Sequence, residues 1–249
     1  QSGAVLLEYI LSQLEQQGKM PSNPVMFNTV VTSDLGEMVA KDHGVETEKT
    51  LTGFKFIGEK VAKYETTGEK NYVFGYEESY GSLISPFVRD KDAPQACLEL
   101  AEAAAYYKNK EGKTLIDVLN DLYAKHGTYE ESQVAISLEG EAGAARIKEI
   151  LSDLRTNGVE SINGVPVVRF EDYKEAVIKE DGKTEELTGF VKSDVLKYYL
   201  ADGSWIAVRP SGTEPKCKFY FCIKGENKDD AHAKTLAYQK AMADLTGTN

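Results

Sequence analysis

The chain has 249 residues, 41% hydrophobic and 28% charged, which suits a globular protein of one large domain or two ordinary ones. Its net charge of -11 argues against a nucleic-acid surface, and no apolar run approaches the ~18 residues of a membrane helix or resembles a signal peptide. Three cysteines without paired spacing, Cys97, Cys217 and Cys222, argue against a disulfide framework and fit a reducing cytoplasm.

The opening "QSGAVLLEYIL" lacks a methionine and enters a helical pattern at once, so the expectation is a cut from a longer protein. Val5, Leu6, Tyr9, Ile10 and Leu14 share one face of a helix over 4–17, which Gly18 and Pro21 end. "VMFNTVV" (25–31) predicts a strand, and Thr32 and Ser33 stand where the N-cap of the next helix belongs, a helix closed by Gly44. "VETEKTL" reads as a short extended piece, followed by a helix from "TGF" to about Lys63. "YVFGY" (72–76) is a further strand, and helices follow over 91–108 and 114–125. Alternation of this kind predicts a layered α/β domain.

Near residue 128 the pattern changes. "SQVAISLEG" predicts a strand, "AGAARIKEILSDLRTNG" a helix, "VPVVRFEDY" (165–173) extended chain, and 179–187 an exposed loop or hairpin tip. "DVLKYYLADGSWIAVRP" and "KCKFYFCIKG" read as consecutive strands, and a helix closes the chain. Grouped strands with a helix at each end predict a smaller α+β domain. Cys217 and Cys222, five apart on a strand, face opposite sides and read as small buried residues.

Four stretches carry possible chemistry. In "RPSGTEPK" (209–216), Arg209 offers a planar fork for two phosphate oxygens, Ser211 and Thr213 offer hydroxyls, Gly212 lets the backbone turn, and Lys216 adds charge. "GYEESYG" (75–81) sets Glu77, Glu78 and Ser79 between two tyrosines. Carboxylates read vicinal hydroxyls well, and adjacent glutamates cannot easily flank one glycosidic bond. "TLTGFKFIG" (50–58) places Thr52 and Gly53 before a helix, where free amides are expected, and "RDKDA" (89–93) sets Arg89 and Lys91 before another. "GEAGAA" (140–145) lacks the rest of a dinucleotide fingerprint and reads as a helix start; His43, His126 and His232 have no metal-ligand partner at useful spacing.

Together, in this order, these stretches resemble the α-D-phosphohexomutases, in particular their bacterial phosphoglucomutase branch. The resemblance implies the third and fourth of that family's four domains: a three-layer α/β/α domain with a mixed sheet over residues 1–128, then a smaller α+β domain with an antiparallel sheet and flanking helices over 129–249. By the same resemblance Arg209, Ser211, Gly212, Thr213 and Lys216 bind the non-reacting phosphate. Glu77, Ser79, Thr52 and Gly53 bind the sugar, and Lys91 is the one catalytic candidate, balancing charge or assisting proton transfer. The family's phosphoserine loop contains a Ser-His pair and its Mg2+ loop three alternating aspartates. Neither occurs here, where the only D-x-D is Asp90 and Asp92. Mg2+ and glucose 1,6-bisphosphate are therefore expected to serve the full-length enzyme, with no metal held by this stretch. Its expected partners are a hexose phosphate and the missing N-terminal domains, with no nucleic acid and no membrane. A phosphomannomutase, a phosphopentomutase or a stand-alone sugar-phosphate binding module are the alternatives.

Overall fold

The structure, a computed structural model, describes residues 1–212 and 214–248. Two compact units divide it, Gln1–His126 and Gly127–Asn249.

In the first unit each strand is followed closely by a helix or a tight turn. The elements are α1 (Ser2–Gln16), β1 (Pro24–Thr29), α2 (Leu35–Asp42), β2 (Glu46–Thr50), α3 (Phe54–Thr67), β3 (Asn71–Tyr76), β4 (Ser82–Leu83), α4 (Ala93–Glu111) and α5 (Leu115–His126). The sheet runs β2-β1-β3-β4, with β2 and β3 parallel to β1 and β4 antiparallel to β3. Val25 and Phe27 of β1 pack on one face against Phe54, Ile57, Val61 and Tyr64 of α3. On the other face Tyr76 lies so close to α1 and α2 that a Cβ at Gly3 or Gly36 would collide with its ring or hydroxyl. Tyr9 of α1 meets Tyr106 and Tyr107 of α4. Because β1, β2 and β3 are parallel, the loops leaving their C-terminal ends gather at one edge of the sheet, the usual ligand edge of such folds.

The second unit contains β5 (Thr128–Ser137), α6 (Gly140–Thr156), β6 (Ser161–Ile162), β7 (Val165–Asp172), β8 (Val177–Glu180), β9 (Lys183–Glu186), β10 (Leu196–Leu200), β11 (Trp205–Pro210), β12 (Lys216–Gly225) and α7 (Lys228–Thr246). Its sheet runs β5-β12-β11-β10-β7-β8-β9, every neighbour antiparallel, with β6 paired to β7. Period-two burial puts Ile206, Val208, Phe219 and Phe221 on one face. There Ile147, Ile150 and Leu151 of α6 and Tyr238 and Met242 of α7 cover them. The two helices thus share one face. Burying each such side chain is worth about 1.5–3 kcal/mol.

Some expectations are corrected. "DVLKYYLADGSWIAVRP" is two strands, not one: Gly203 turns at φ 83° and donates its N–H to Leu200 O, while Asp202 accepts from Ser204 N–H. An Asp-Gly pair is a hairpin signal and was sufficient to find that turn. Thr32 is not an N-cap; its hydroxyl serves Thr29, and α2 begins after Asp34 with Ser33 Oγ accepting from Leu35 N–H. "VETEKTL" supplies a full parallel strand, β2. The helix expected to end near Lys63 continues to Thr67, where Gly68 in the left-handed region ends it. Cys217 sits in the core beneath α6 and α7, and burial pushes its thiol up to about 12, which leaves it inert.

Candidate functional site

In the first unit three loops meet at the C-terminal edge of the sheet. The loop after β3 carries Glu77, Glu78, Ser79 and Tyr80, and it is closed by Glu77 N–H donating to Gly81 O at 2.8 Å. Glu77 is buried, and its Oε1 accepts from Gly53 N–H at 3.1 Å. Gly53 precedes α3 with φ 121°, a conformation that side chains resist, so the glycine aims that amide out of the helix start. The amide expected to be free is therefore taken by a carboxylate, which also sits favourably at the positive end of the α3 dipole. Thr52 Oγ1 is buried with no hydrogen-bond partner among the described residues. Ser79 and Tyr80 are exposed, Tyr80 with 88% of its surface accessible.

Lys91 reaches toward this loop, its Nζ 3.9 Å from Glu77 Oε2 and 3.3 Å from Asp90 Oδ1. Gly81 makes room for it: a Cβ there would fall 2.6 Å from Lys91 Cδ and 2.9 Å from Glu77 Oε2. Asp92 is the N-cap of α4, accepting from Gln95 N–H at 3.1 Å. The Gln95 side chain in turn accepts from Ile84 and Ser85 N–H, stitching the segment before α4 to the helix. The D-x-D of Asp90 and Asp92 is therefore divided between a lysine partner and a helix cap, an arrangement that does not fit a magnesium site. Arg89 does not join this group; it pairs with Glu65 and Pro86 O. Among the described residues no three His, Cys, Asp or Glu side chains gather as metal ligands.

In the second unit β11 and β12 form a hairpin whose tip is the 209–216 stretch, with Ser211 N–H donating to Lys216 O at 2.7 Å. Arg209 pairs across the hairpin with Lys218, and its Nη2 donates to Tyr220 Oη at 3.2 Å. Its Nε is buried and has no hydrogen-bond partner, and no ion pair to Arg209 occurs among the described residues. Ser211 Oγ accepts from Glu214 N–H at 3.3 Å, and Lys216 Nζ bonds Glu214 Oε1 at 3.1 Å. Lys216 thus shares its charge with a neighbouring acid. Gly212 does not adopt a left-handed φ, and a Cβ built on it would meet nothing within 4 Å, so its value lies in open access to the backbone. Thr213 lies outside the described residues. A half-buried guanidinium with donors to spare is chemically an anion site.

The sequence reading missed Tyr220, Glu214, Thr29 and Thr32 as members of these groups. Glu214 was inside the quoted motif. Tyr220 was reachable from hairpin register alone, two residues beyond Lys218 on the strand opposite Arg209. The threonines had no local signal, because Glu78 comes to Thr29 from a separate loop.

Residues 1–126 match the phosphoglucomutase/phosphomannomutase α/β/α domain III, and residues 147–241 match the C-terminal domain of the same family. A phosphoglucomutase of Staphylococcus epidermidis is 38% identical over 231 residues, covering 92% of this chain and 41% of the relative. One of Staphylococcus aureus is 37% identical over 238 residues, covering 95% and 42%. The chain thus spans about two fifths of the length of the curated relatives it matches. Among solved structures, the open form of the Paramecium exocytosis-sensitive phosphoprotein pp63/parafusin, a phosphoglucomutase, superposes with a TM-score of 0.65. The match covers 99% of this chain and 42% of that one at 22% identity, which speaks for the fold.

Proposed function

The chain belongs to the phosphoglucomutase/phosphomannomutase family, and from that membership we propose that it is the substrate-binding C-terminal part of a phosphoglucomutase. That enzyme would interconvert glucose 1-phosphate and glucose 6-phosphate through a bisphosphate, in the cytoplasm. Residues 1–128 serve as its third domain and 129–249 as its fourth. No helix among the described residues is long and apolar enough to cross a membrane.

The observation that carries this reading is Arg209, a partly buried guanidinium at the tip of a hairpin with no ion pair among the described residues. Leaving a charge so placed without a counter-ion costs stability, and a dianionic ligand offsets that cost. Arg209, Ser211, Gly212 and Thr213 hold the phosphate that is not reacting, with Lys216 contributing less because Glu214 holds it. Glu77 and Ser79 read sugar hydroxyls, Thr52 and Gly53 line the same cleft, and Lys91 balances charge beside them. Phosphoryl transfer itself needs a phosphoserine and magnesium, which residues outside this stretch would supply. The stretch by itself is then inactive.

Calorimetry of the chain with glucose 1-phosphate tests this. Saturable binding is expected, abolished in Arg209→Ala, and the purified chain should show no isomerisation with Mg2+ and glucose 1,6-bisphosphate added. Unchanged affinity in the variant, or turnover by the chain, overturns the reading.

A further inference from the structure

We propose that Glu78 and Thr29 are positioning residues: Glu78 anchors the 75–81 loop to the end of β1 and so fixes where Ser79 and Tyr80 stand. This deepens the sugar-binding reading above and rests on it. The two glutamates of the loop have separate bonds. Glu77 turns toward Gly53 and Lys91, whereas Glu78 Oε2 accepts from Thr29 Oγ1 at 3.0 Å. Thr29 Oγ1 also lies 2.8 Å from Thr32 Oγ1. A hydroxyl has one proton. Thr29 gives its proton to Glu78, so Thr32 must donate to Thr29, and the bonds run in one direction, Thr32 to Thr29 to Glu78. Such a chain polarises each of its members toward the carboxylate.

The anchor end is rigid. Thr29 and Thr32 are almost fully buried, at 0% and 1% exposure. Thr29 N–H donates to Thr32 Oγ1 at 3.3 Å, and Thr32 O accepts from Lys49 Nζ at 3.4 Å. Lys49, on β2, is itself paired with Glu37 and Asp34, so the loop after β1 and the start of α2 are tied to β2. The loop after β3 is then held from both sides, by Glu77 to the start of α3 and by Glu78 to the end of β1. Between these holds and Gly81 stand the two exposed residues, Ser79 and Tyr80. Tyr80 has φ 68°, a left-handed conformation that a tyrosine keeps only where its surroundings impose it. The clasp supplies that constraint, and the residues it presents are those that face solvent.

Hydrogen exchange over the 75–83 segment, together with calorimetry, tests the anchor in the 249-residue chain. Thr29→Val removes the hydroxyl at nearly constant volume, Thr29→Ser keeps it, and Glu78→Ala removes the acceptor from the half-buried loop side should Thr29→Val fail to fold. Exchange in the segment should rise about tenfold or more in Thr29→Val and Glu78→Ala and stay near wild type in Thr29→Ser. Affinity for glucose 1-phosphate should fall in the same two variants, while affinity for inorganic phosphate, which needs only the 209–216 hairpin, is unchanged. A role confined to overall stability would not separate the two ligands. Unaltered exchange in Thr29→Val, or in Glu78→Ala if the former does not fold, overturns the proposal. Should the wild-type chain fail to bind glucose 1-phosphate, the sugar-binding reading falls, and the exchange result still decides whether the anchor exists.

Discussion

Arg209 and Lys216 differ in what holds them. Among the described residues, Arg209 is bonded to a phenol and Lys216 to a carboxylate. Removing Lys216 should therefore weaken inorganic phosphate binding less than removing Arg209, and Glu214→Gln should strengthen it by freeing the lysine and deleting a like charge. Calorimetry on the three variants checks the order; equal losses in Lys216→Ala and Arg209→Ala contradict it. At this scale the sequence was most informative where chemistry is local. Arg209, Ser211, Gly212 and Lys216 lie within one bend, so a bare string reveals them together. Glu78 and Thr29 lie 49 positions apart and meet only through strand pairing, which no short motif records.

The elements are joined by charged groups as well as by their cores. His43, at the end of α2, sits between Glu8 and Glu15 of α1, at 3.2 and 3.0 Å. The bond to Glu8 raises its pKa more than burial lowers it. A raised folded pKa means the stabilisation is present in full below the unfolded value of about 6.5 and is lost as pH rises through the folded value. The urea midpoint of this unit should accordingly drop as pH rises above about 6.5, and His43→Gln should flatten the drop. An identical slope in the variant would show that the imidazole is not responsible. Asp92→Ala removes the cap of α4 and should cost about 1 kcal/mol by urea unfolding, with Lys91 next to it losing definition. β2 shows why an element can hide in a sequence. "ETEKT" is polar because it is an edge strand whose acids are paired: burial works to raise the pKa of Glu48, but Lys60, Lys70 and Tyr64 outweigh it and hold Glu48 at about 2. The merger of β10 and β11 had the opposite cause, since both strands are apolar and the short Asp-Gly turn between them was overlooked.

At the scale of the molecule, the sequence pattern announced a layered α/β unit and a smaller α+β unit, while the mixed sense of the first sheet and the antiparallel sense of the second were expectations of the family resemblance. The pattern alternated strand with helix in the first half and grouped strands in the second. The placement of α6 and α7 on one face was not legible, because period-two burial names a buried face without naming its cover. On the proposed reading, the 209–216 hairpin grips the phosphate of a sugar phosphate. Titration of the isotopically labelled chain with glucose 1-phosphate, followed by amide NMR, tests it most directly. The expected result is saturable shifts at Ser211, Gly212 and Lys216 that free glucose does not produce and that Arg209→Ala abolishes; hairpin amides unmoved at saturating sugar phosphate would contradict it.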